Sequence, residues 1–224
     1  MRGYLFNSLL VIIGSVLGIA AGRKIHEHSK DAVFAVLGLV TCLIGLKMSL
    51  NAGDIIPVVF SLVLGTLTGS ALRIEDRVHA VLNRVNSTFL AGEYDTEGFM
   101  IASTLFCVGS MTIIGSLKDG LSGDAMLIRT KSVMDGFAAF VLTARYGISV
   151  LFSAVTIAVI QGSLTVFAGS LTFLTAPRMM NNMDGVGGII VLAIGLNLLK
   201  LKQTKTIDML PALVLIVVYG VWVG

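Results

Sequence analysis

The sequence predicts an all-α polytopic membrane protein with about eight transmembrane helices. Of its 224 residues, 55% are hydrophobic and only 13% are charged, and its mean hydropathy is +0.93. A soluble domain carries about a quarter charged residues, so this composition could not cover a soluble surface. The net charge of +3 is small and spread over many loops, which argues against a nucleic-acid partner. The lipid bilayer is therefore the expected surroundings of the chain.

Apolar runs close to the roughly 20 residues of a membrane span follow one another along the chain. The first begins after Arg2 like a cleaved leader, but it recurs later and is predicted to be a retained span. The fifth contains three charged residues and joins the sixth without a polar loop, so seven spans is the alternative. The runs are Leu5 to Ala21, Ala32 to Leu50, Ile55 to Leu72, Phe99 to Leu117, Lys131 to Val150, Ser153 to Phe173, Asp184 to Leu199 and Ile207 to Val223.

Basic residues favour eight spans over seven. With eight spans, ten lie on one side, which the positive-inside rule assigns to the cytoplasm, and six on the other. Seven spans would remove almost all of this bias. Both termini are therefore predicted to lie outside the cytoplasm. The ten are Arg23, Lys24, Lys30, Arg73, Arg77, Arg84, Arg145, Lys200, Lys202 and Lys205; the six are Arg2, Lys47, Lys118, Arg129, Lys131 and Arg178.

The two ends of the chain resemble each other, which predicts a duplicated group of three helices. Small and apolar residues match in the same order at slowly growing offsets, for example Gly14 with Gly162, Gly38 with Gly188, and Pro57 with Pro211. Within one membrane domain covering 1–224, the predicted segments are repeat one at 1–72, a central segment at 73–150 and repeat two at 151–224. With eight spans the two copies insert in opposite orientations, an inverted repeat that is common in secondary transporters.

The central segment contains a predicted interfacial helix and a charged helix. Apolar residues from Ile74 to Phe89 recur at helical spacing opposite a charged face, which fits a helix lying along the cytoplasmic interface; a helix packed on a loop is the alternative. The turn His26-Glu27-His28 lacks nearby ligands and is interpreted as solvated, so neither a metal nor a cofactor is expected. Gly14, Gly18 and Gly22 are spaced by four, which predicts close helix packing in lipid.

The charged helix provides most of the predicted site. On a helical wheel Asp135 lies about 40° from Lys131, and Arg145 about 40° to the other side. Charges in a membrane are costly unless paired or hydrated, so they usually face the protein interior or a wet path. The predicted substrate- or ion-binding residues are Lys118, Asp119, Lys131, Asp135, Arg145, Gln161 and Asn197. For residues 118 to 131 an ordinary external loop, and for Gln161 and Asn197 a structural hydrogen bond, are the alternatives.

Several segments resemble a known family. The block ASTLFCVGSMTIIGSLKDGLSGDAMLIRTKSVMDGF, with FNSLLVIIGSVLGIAAGRKI and GGIIVLAIGLNLL, is similar to the bacterial inner-membrane domain-of-unknown-function family 554, the YdfK/YqgA-like proteins. The resemblance covers nearly the whole chain. It implies a multi-pass protein of the bacterial inner membrane and supplies neither a substrate nor a catalytic residue.

Three functions are compared on this basis. A secondary transporter or channel for a small polar or ionic solute is favoured by the repeat and the charged helix, and neutralising Asp135 is then predicted to abolish transport without loss of folded protein. A non-transporting scaffold or accessory subunit is the alternative, which the glycine spacings suit. An enzyme is not expected, because the HExxH and GxSxG motifs are absent. The sequence leaves open whether the chain forms a homo-oligomer.

Overall fold

The computed structural model describes residues 2–22, 27–80 and 96–223, and in these ranges the chain is helical without any β-strand. The predicted all-α class is thereby confirmed. Residues 74–80 are helical, and the rest of the predicted interfacial helix lies outside the described residues. His26 and the side chains of Glu27 and His28 also lie outside them, and the backbone of Glu27 and His28 is helical where a turn was predicted. The α-helices are α1 (Gly3–Gly22), α2 (Glu27–Ser49), α3 (Ile55–Leu72), α4 (Thr96–Cys107), α5 (Ser110–Ser122), α6 (Met126–Tyr146), α7 (Ser153–Val166), α8 (Pro177–Leu198) and α9 (Pro211–Val223). Short 3₁₀ helices cover Gly147–Phe152, Ala168–Thr175 and Ile207–Met209.

Length and composition identify four helical stretches in the described residues that could cross a membrane. They are Gly3–Gly22, Ile55–Leu72, Met126–Val166 and Pro177–Leu198. A fifth results if α4 and α5, which meet at a bend of 59°, form one broken span. Shorter apolar helices cover Ala35–Ser49 and Ile207–Trp222. This criterion therefore supports a membrane protein with four or five spans, and a larger number depends on the shorter helices and on how the longest stretch folds.

The longest stretch, Met126–Val166 with 41 residues, folds back on itself. The amide nitrogen of Asn7 donates both to Asp135 in α6 and to Gln161 in α7. In a straight helix those two residues would be about 39 Å apart. The reversal starts at Gly147, whose φ of 70° is a conformation that glycine adopts without steric cost. Helices α6 and α7 therefore run in opposite directions.

The contacts divide the chain into two compact units, each made of two segments that are separate in the sequence. The first unit is Met1–Phe34 with Glu93–Thr172, and the second is Ala35–Gly92 with Phe173–Gly224. The first unit contains α1 and α4 to α7. The second contains most of α2 together with α3, α8 and α9.

In the first unit α1 packs closely along α6 through its glycines. A Cβ atom on Gly14, Gly18 or Gly22 would overlap the backbone of Gly136, Phe140 or Ala144, respectively. Both series advance by four residues, so α1 and α6 are parallel. The predicted role of these glycines in close packing is confirmed. Helix α7 runs antiparallel to α1, with Ser8 donating to the carbonyl oxygen of Ala154 at 3.1 Å.

In the second unit two antiparallel helix pairs are also joined through glycine. A Cβ on Gly45 would lie 2.7 Å from the carbonyl oxygen of Gly188, and a Cβ on Gly195 would lie 3.0 Å from that of Gly38, so α2 and α8 run in opposite directions. Gly65 abuts Ala212 and Gly69 abuts Asp208, which makes α3 and α9 antiparallel. Small residues therefore set the closest helix approaches in both units.

Polar groups of the second unit join its loops to its helices. Arg178 donates to the Asp54 carboxylate at 2.7 Å, which lowers the pKa of Asp54. Elsewhere, the Asp208 carboxylate accepts the backbone N–H of Glu75 at 2.9 Å, and Glu75 in turn accepts the backbone N–H of Ile207 at 3.0 Å. Lys205 pairs with Asp76 at 2.6 Å. The segment at 74–80 is thereby fastened to the loop before α9.

Partial burial of the Glu75 carboxyl raises its pKa, and the N–H of Ile207 opposes this effect. The neutral form is thus favoured in the folded protein, so its stabilising contribution is complete below the unfolded value of 4.5 and is lost as pH rises through the folded pKa. Glu75→Gln keeps the acceptor for Ile207. We expect its Tm to match the wild type below that value and to exceed it by about 1–3 °C at pH 7, after allowance for solvent screening.

Asp76→Asn is the matched control because its pKa is shifted the other way. The hydrogen bond from Lys205 lowers the pKa of Asp76, so the stability it contributes is present above the unfolded value of 3.8 and is lost as pH falls through the folded pKa. This variant should be less stable than the wild type at pH 7 and should converge with it in acid. Thermal unfolding in detergent at a series of pH values measures both, and equal pH profiles for the two variants would contradict the assignment.

Candidate functional site

The centre of the first unit holds a buried ion pair. Lys131 and Asp135 lie one turn apart on α6, and the Lys131 ammonium contacts Oδ2 of the Asp135 carboxylate. Each residue is only 7% exposed. The i,i+4 spacing brings the two side chains together on one helix face. Buried charges of this kind need both a counter-charge and further hydrogen bonds.

A helix break supplies the second acceptor for the ammonium. The α4 helix ends at Cys107 and α5 begins at Ser110, with Gly109 between them at a φ of 124° that is accessible mainly to glycine. The carbonyl oxygen of Phe106, in the last turn of α4, accepts a hydrogen bond from Lys131 Nζ at 2.8 Å and another from Thr112 at 3.1 Å. The negative end of the α4 dipole also favours a cation at this position.

Two amides complete the arrangement. Asn7 of α1 donates to Asp135 Oδ2 at 3.0 Å and to Oε1 of Gln161, on α7, at 3.2 Å. Both amide side chains are fully buried. Because the Asn7 nitrogen faces a carboxylate, the orientation of its amide is fixed by the network, and that of Gln161 follows. We call Asn7, Phe106, Lys131, Asp135 and Gln161 the polar cluster.

Each of the two amides keeps one group free. Among the described residues, neither Asn7 Oδ1 nor Gln161 Nε2 has a hydrogen-bond partner. A buried polar atom without a partner costs roughly 1–3 kcal/mol. The cluster thus combines a neutral ion pair with one unused acceptor and one unused donor. These are groups that a small polar solute, an ion or a water molecule could bind.

The cluster lies well inside the helix bundle. Asp135 is nine residues into α6, about 14 Å from the start of the helix. Elements α1, α4, α6 and α7 each contribute one or more of its members.

The structure brings together three of the seven residues predicted for the site, Lys131, Asp135 and Gln161. Asp119 is buried, and its carboxylate accepts the backbone N–H of Gly3 at 2.9 Å, at the start of α1. Lys118 is exposed. Arg145 is half-buried and lies about 15 Å along the α6 axis from Asp135.

Asn197 lies in the second unit, outside the polar cluster. Its amide nitrogen donates to the carbonyl oxygen of Thr204 at 2.8 Å, and its oxygen accepts the backbone N–H and the hydroxyl of the same residue, both at 2.9 Å. This bonding closes the loop after α8. These bonds agree with the alternative interpretation of Asn197, in which its amide makes a structural hydrogen bond.

Two members of the cluster were missed by sequence reasoning. Asn7 is an isolated amide in the first apolar run, the same signal that singled out Gln161 and Asn197, and could have been recognised in this way. Phe106 takes part only through its backbone, so its side chain gives no indication. The available signal was Gly109, which lies at the break between α4 and α5.

Fold and site together define the class of the protein, a helical membrane protein with a charged cluster inside its bundle. The chain belongs to the family described as "Protein of unknown function (DUF554)", whose model matches residues 2–221. The resemblance to domain-of-unknown-function family 554 is thereby confirmed.

Two relatives align along almost their whole length. The "Uncharacterized membrane protein YdfK" of Bacillus subtilis (strain 168) is 30% identical over 219 residues, covering 96% of this chain and 93% of that protein. The "Uncharacterized protein YqgA" of Escherichia coli (strain K12) is 28% identical, with 95% and 93% covered. No solved structure matches the chain. The name of the first relative agrees with the membrane class derived above.

Proposed function

We propose that the protein is a secondary transporter or channel for a small polar or ionic solute, with the polar cluster as its binding site. The observation that carries the proposal is the Lys131–Asp135 pair beside the α4–α5 break. Ionisable residues inside membrane proteins are costly and usually mark a solute or ion pathway. Broken helices in transporters similarly provide free backbone groups and helix ends that bind ions or substrates. The unused groups of Asn7 and Gln161 add hydrogen-bonding capacity at the same point.

We also propose that the two ends of the chain form an inverted repeat, an architecture that is common in secondary transporters. The helices that the repeat equates are α1 with α7, α2 with α8 and α3 with α9, and each of these pairs is antiparallel within its own unit. The contacts between α2 and α8 are also symmetric: a two-fold axis that exchanges the repeat counterparts would convert one contact into the other. Gly38 approaches Gly195, and Gly45 approaches Gly188, where Gly188 and Gly195 are the repeat counterparts of Gly38 and Gly45.

These helix directions agree with eight spans. Eight crossings result if α4 and α5 form one broken span and α6 and α7 are counted separately. Every antiparallel pair then contains one odd-numbered and one even-numbered crossing. The parallel pair, α1 and α6, contains crossings one and five. We propose that the protein crosses the bacterial inner membrane eight times, with both termini outside the cytoplasm. Seven spans would make the repeat copies parallel.

A non-transporting scaffold is the second candidate, which the glycine-mediated helix contacts of both units favour. Such contacts hold helices together in lipid whether or not a solute passes. A scaffold does not need an ion pair at a helix break. The two functions therefore differ in what they require of Lys131 and Asp135.

Flux through the purified protein in liposomes tests the proposal. The probes are radiolabelled acetate, methylammonium, alanine and rubidium, with a trapped pH-sensitive dye to report proton movement. We expect the wild type to exceed protein-free liposomes for at least one probe, and Lys131→Met/Asp135→Asn to lose that flux. Arg129→Gln, which removes an exposed cation from the same helix, is the control and should retain it. Equal flux in the double variant would contradict the site, and no flux with any probe would favour the scaffold.

A further inference from the structure

Two oxygen atoms of kinds that bind small cations contact the Lys131 ammonium. A carboxylate oxygen of Asp135 and the Phe106 carbonyl at 2.8 Å contact Nζ directly. Asn7, which bonds the same carboxylate oxygen, carries a buried Oδ1 that has no partner in the described part of the chain. One carboxylate and a backbone carbonyl, with an amide oxygen on a neighbouring side chain, are the kinds of ligand that membrane proteins use for alkali cations.

The break between α4 and α5 makes the Phe106 carbonyl oxygen available, whereas in a continuous helix this oxygen would be bonded to a backbone N–H. Carbonyl groups at the end of a half-helix have no intrahelical partner and carry the negative end of its dipole. In transporters such ends coordinate the coupling cation. Here the carbonyl of Phe106 points at a lysine of the same chain.

We infer that the polar cluster is a monovalent-cation site whose resident cation is the Lys131 ammonium. Because the ammonium is covalently attached and paired with Asp135, the wild-type protein takes up no alkali ion there. Its function is consequently independent of sodium at this site. The inference deepens the proposed function. The role of the cation site in transport rests on that proposed function, whereas the existence of the site rests on the geometry alone.

Removing the side chain of Lys131 tests the inference by opening the site. Purified Lys131→Ala is unfolded thermally in sodium chloride, methylammonium chloride or choline chloride at equal ionic strength. In choline, which is too large for the site, the unpaired Asp135 carboxylate should lower Tm by about 6–20 °C relative to the wild type. Sodium or methylammonium at ten times its Kd should restore about 3–6 °C.

Two controls give the test its specificity. Lys131→Ala/Asp135→Asn lacks the carboxylate and should show no difference among the salts, and the wild type should likewise be indifferent to sodium. A rise with sodium alone or with methylammonium alone supports the inference and identifies the preferred cation as a metal ion or an ammonium. Equal Tm values for Lys131→Ala in all three salts, or a sodium-dependent rise in the wild type, would overturn it.

A second readout covers loss of the variant during purification. The amount of folded Lys131→Ala and of Lys131→Ser recovered from membranes is compared between sodium, methylammonium and choline. Greater recovery with sodium or methylammonium than with choline supports the inference. Equal recovery in the three salts overturns it, and so does a failure to recover folded protein in any of them. These measurements of stability do not depend on transport. If cations stabilise Lys131→Ala but the wild type carries no probe into liposomes, the transport proposal is refuted and the cation site is still supported.

Discussion

Neutralising Asp135 alone should destabilise the protein, whereas neutralising Asp135 and Lys131 together should largely restore it. Asp135→Asn leaves a buried ammonium without its counter-ion, and Lys131→Met leaves a buried carboxylate in the same position. Losing one partner of a buried pair typically costs about 3–5 kcal/mol of unfolding free energy. The double variant removes both charges with little change of shape, and we expect it to lie within about 1–2 kcal/mol of the wild type.

A double-mutant cycle measures this coupling in detergent, by thermal unfolding of the wild type, the two single variants and the double variant. Arg129→Gln is again the control, because its side chain is exposed on the same helix and should contribute little. Additive losses from the two single variants would show that the charges do not depend on each other. The sequence predicts that neutralising Asp135 leaves the protein folded, whereas the geometry predicts that the unpaired Lys131 ammonium destabilises it.

Gly14→Ala should be among the most disruptive small substitutions in the chain. Its added Cβ would overlap the carbonyl oxygen of Gly136, which is backbone and cannot rotate away. Helices α1 and α6 would have to separate, and forced overpacking of this kind costs about 1–3 kcal/mol, and more where the obstacle is rigid. Separation would also pull Asn7 on α1 away from Asp135 on α6. We therefore expect a loss of about 3 kcal/mol or more in stability.

Gly169→Ala is the matched control for this substitution. A Cβ at Gly169 meets no atom within 4 Å, and the change of residue type is the same. Folded protein after extraction and Tm in detergent should therefore be close to wild-type values for Gly169→Ala and clearly lower for Gly14→Ala. If both variants behaved alike, the close approach of α1 to α6 would have no energetic significance.

How much the sequence could reveal depended on the range of each interaction. The Lys131–Asp135 pair was predictable because both residues lie one turn apart on one helix. Arg145 seemed to belong with them because a helical wheel shows the angle around the axis and ignores the distance along it. Asn7 could be singled out as an isolated amide, but its partners on two other helices follow only from the tertiary packing.

Other parts of the fold were recognisable because they depend on repeated small residues. The spacing of Gly14, Gly18 and Gly22 indicated a close helix contact, although not that α6 is the partner. Asn197 was ambiguous because an amide in an apolar run suits both a binding site and a loop closure. The hydrogen bonds of Asn197 to Thr204 follow only from how the loop after α8 folds.

The interruption between α4 and α5 makes two distant positions dependent on each other. Were Gly109 replaced by a residue that continues the helix, the carbonyl oxygen of Phe106 would be reclaimed by the backbone and the Lys131 ammonium would lose an acceptor. Were Lys131 lost instead, that oxygen would keep only the Thr112 hydroxyl. Across descendants of this gene, substitutions at positions 109 and 131 should therefore arise together, because a lineage that changes one without the other loses a hydrogen bond from a buried polar group in its membrane domain.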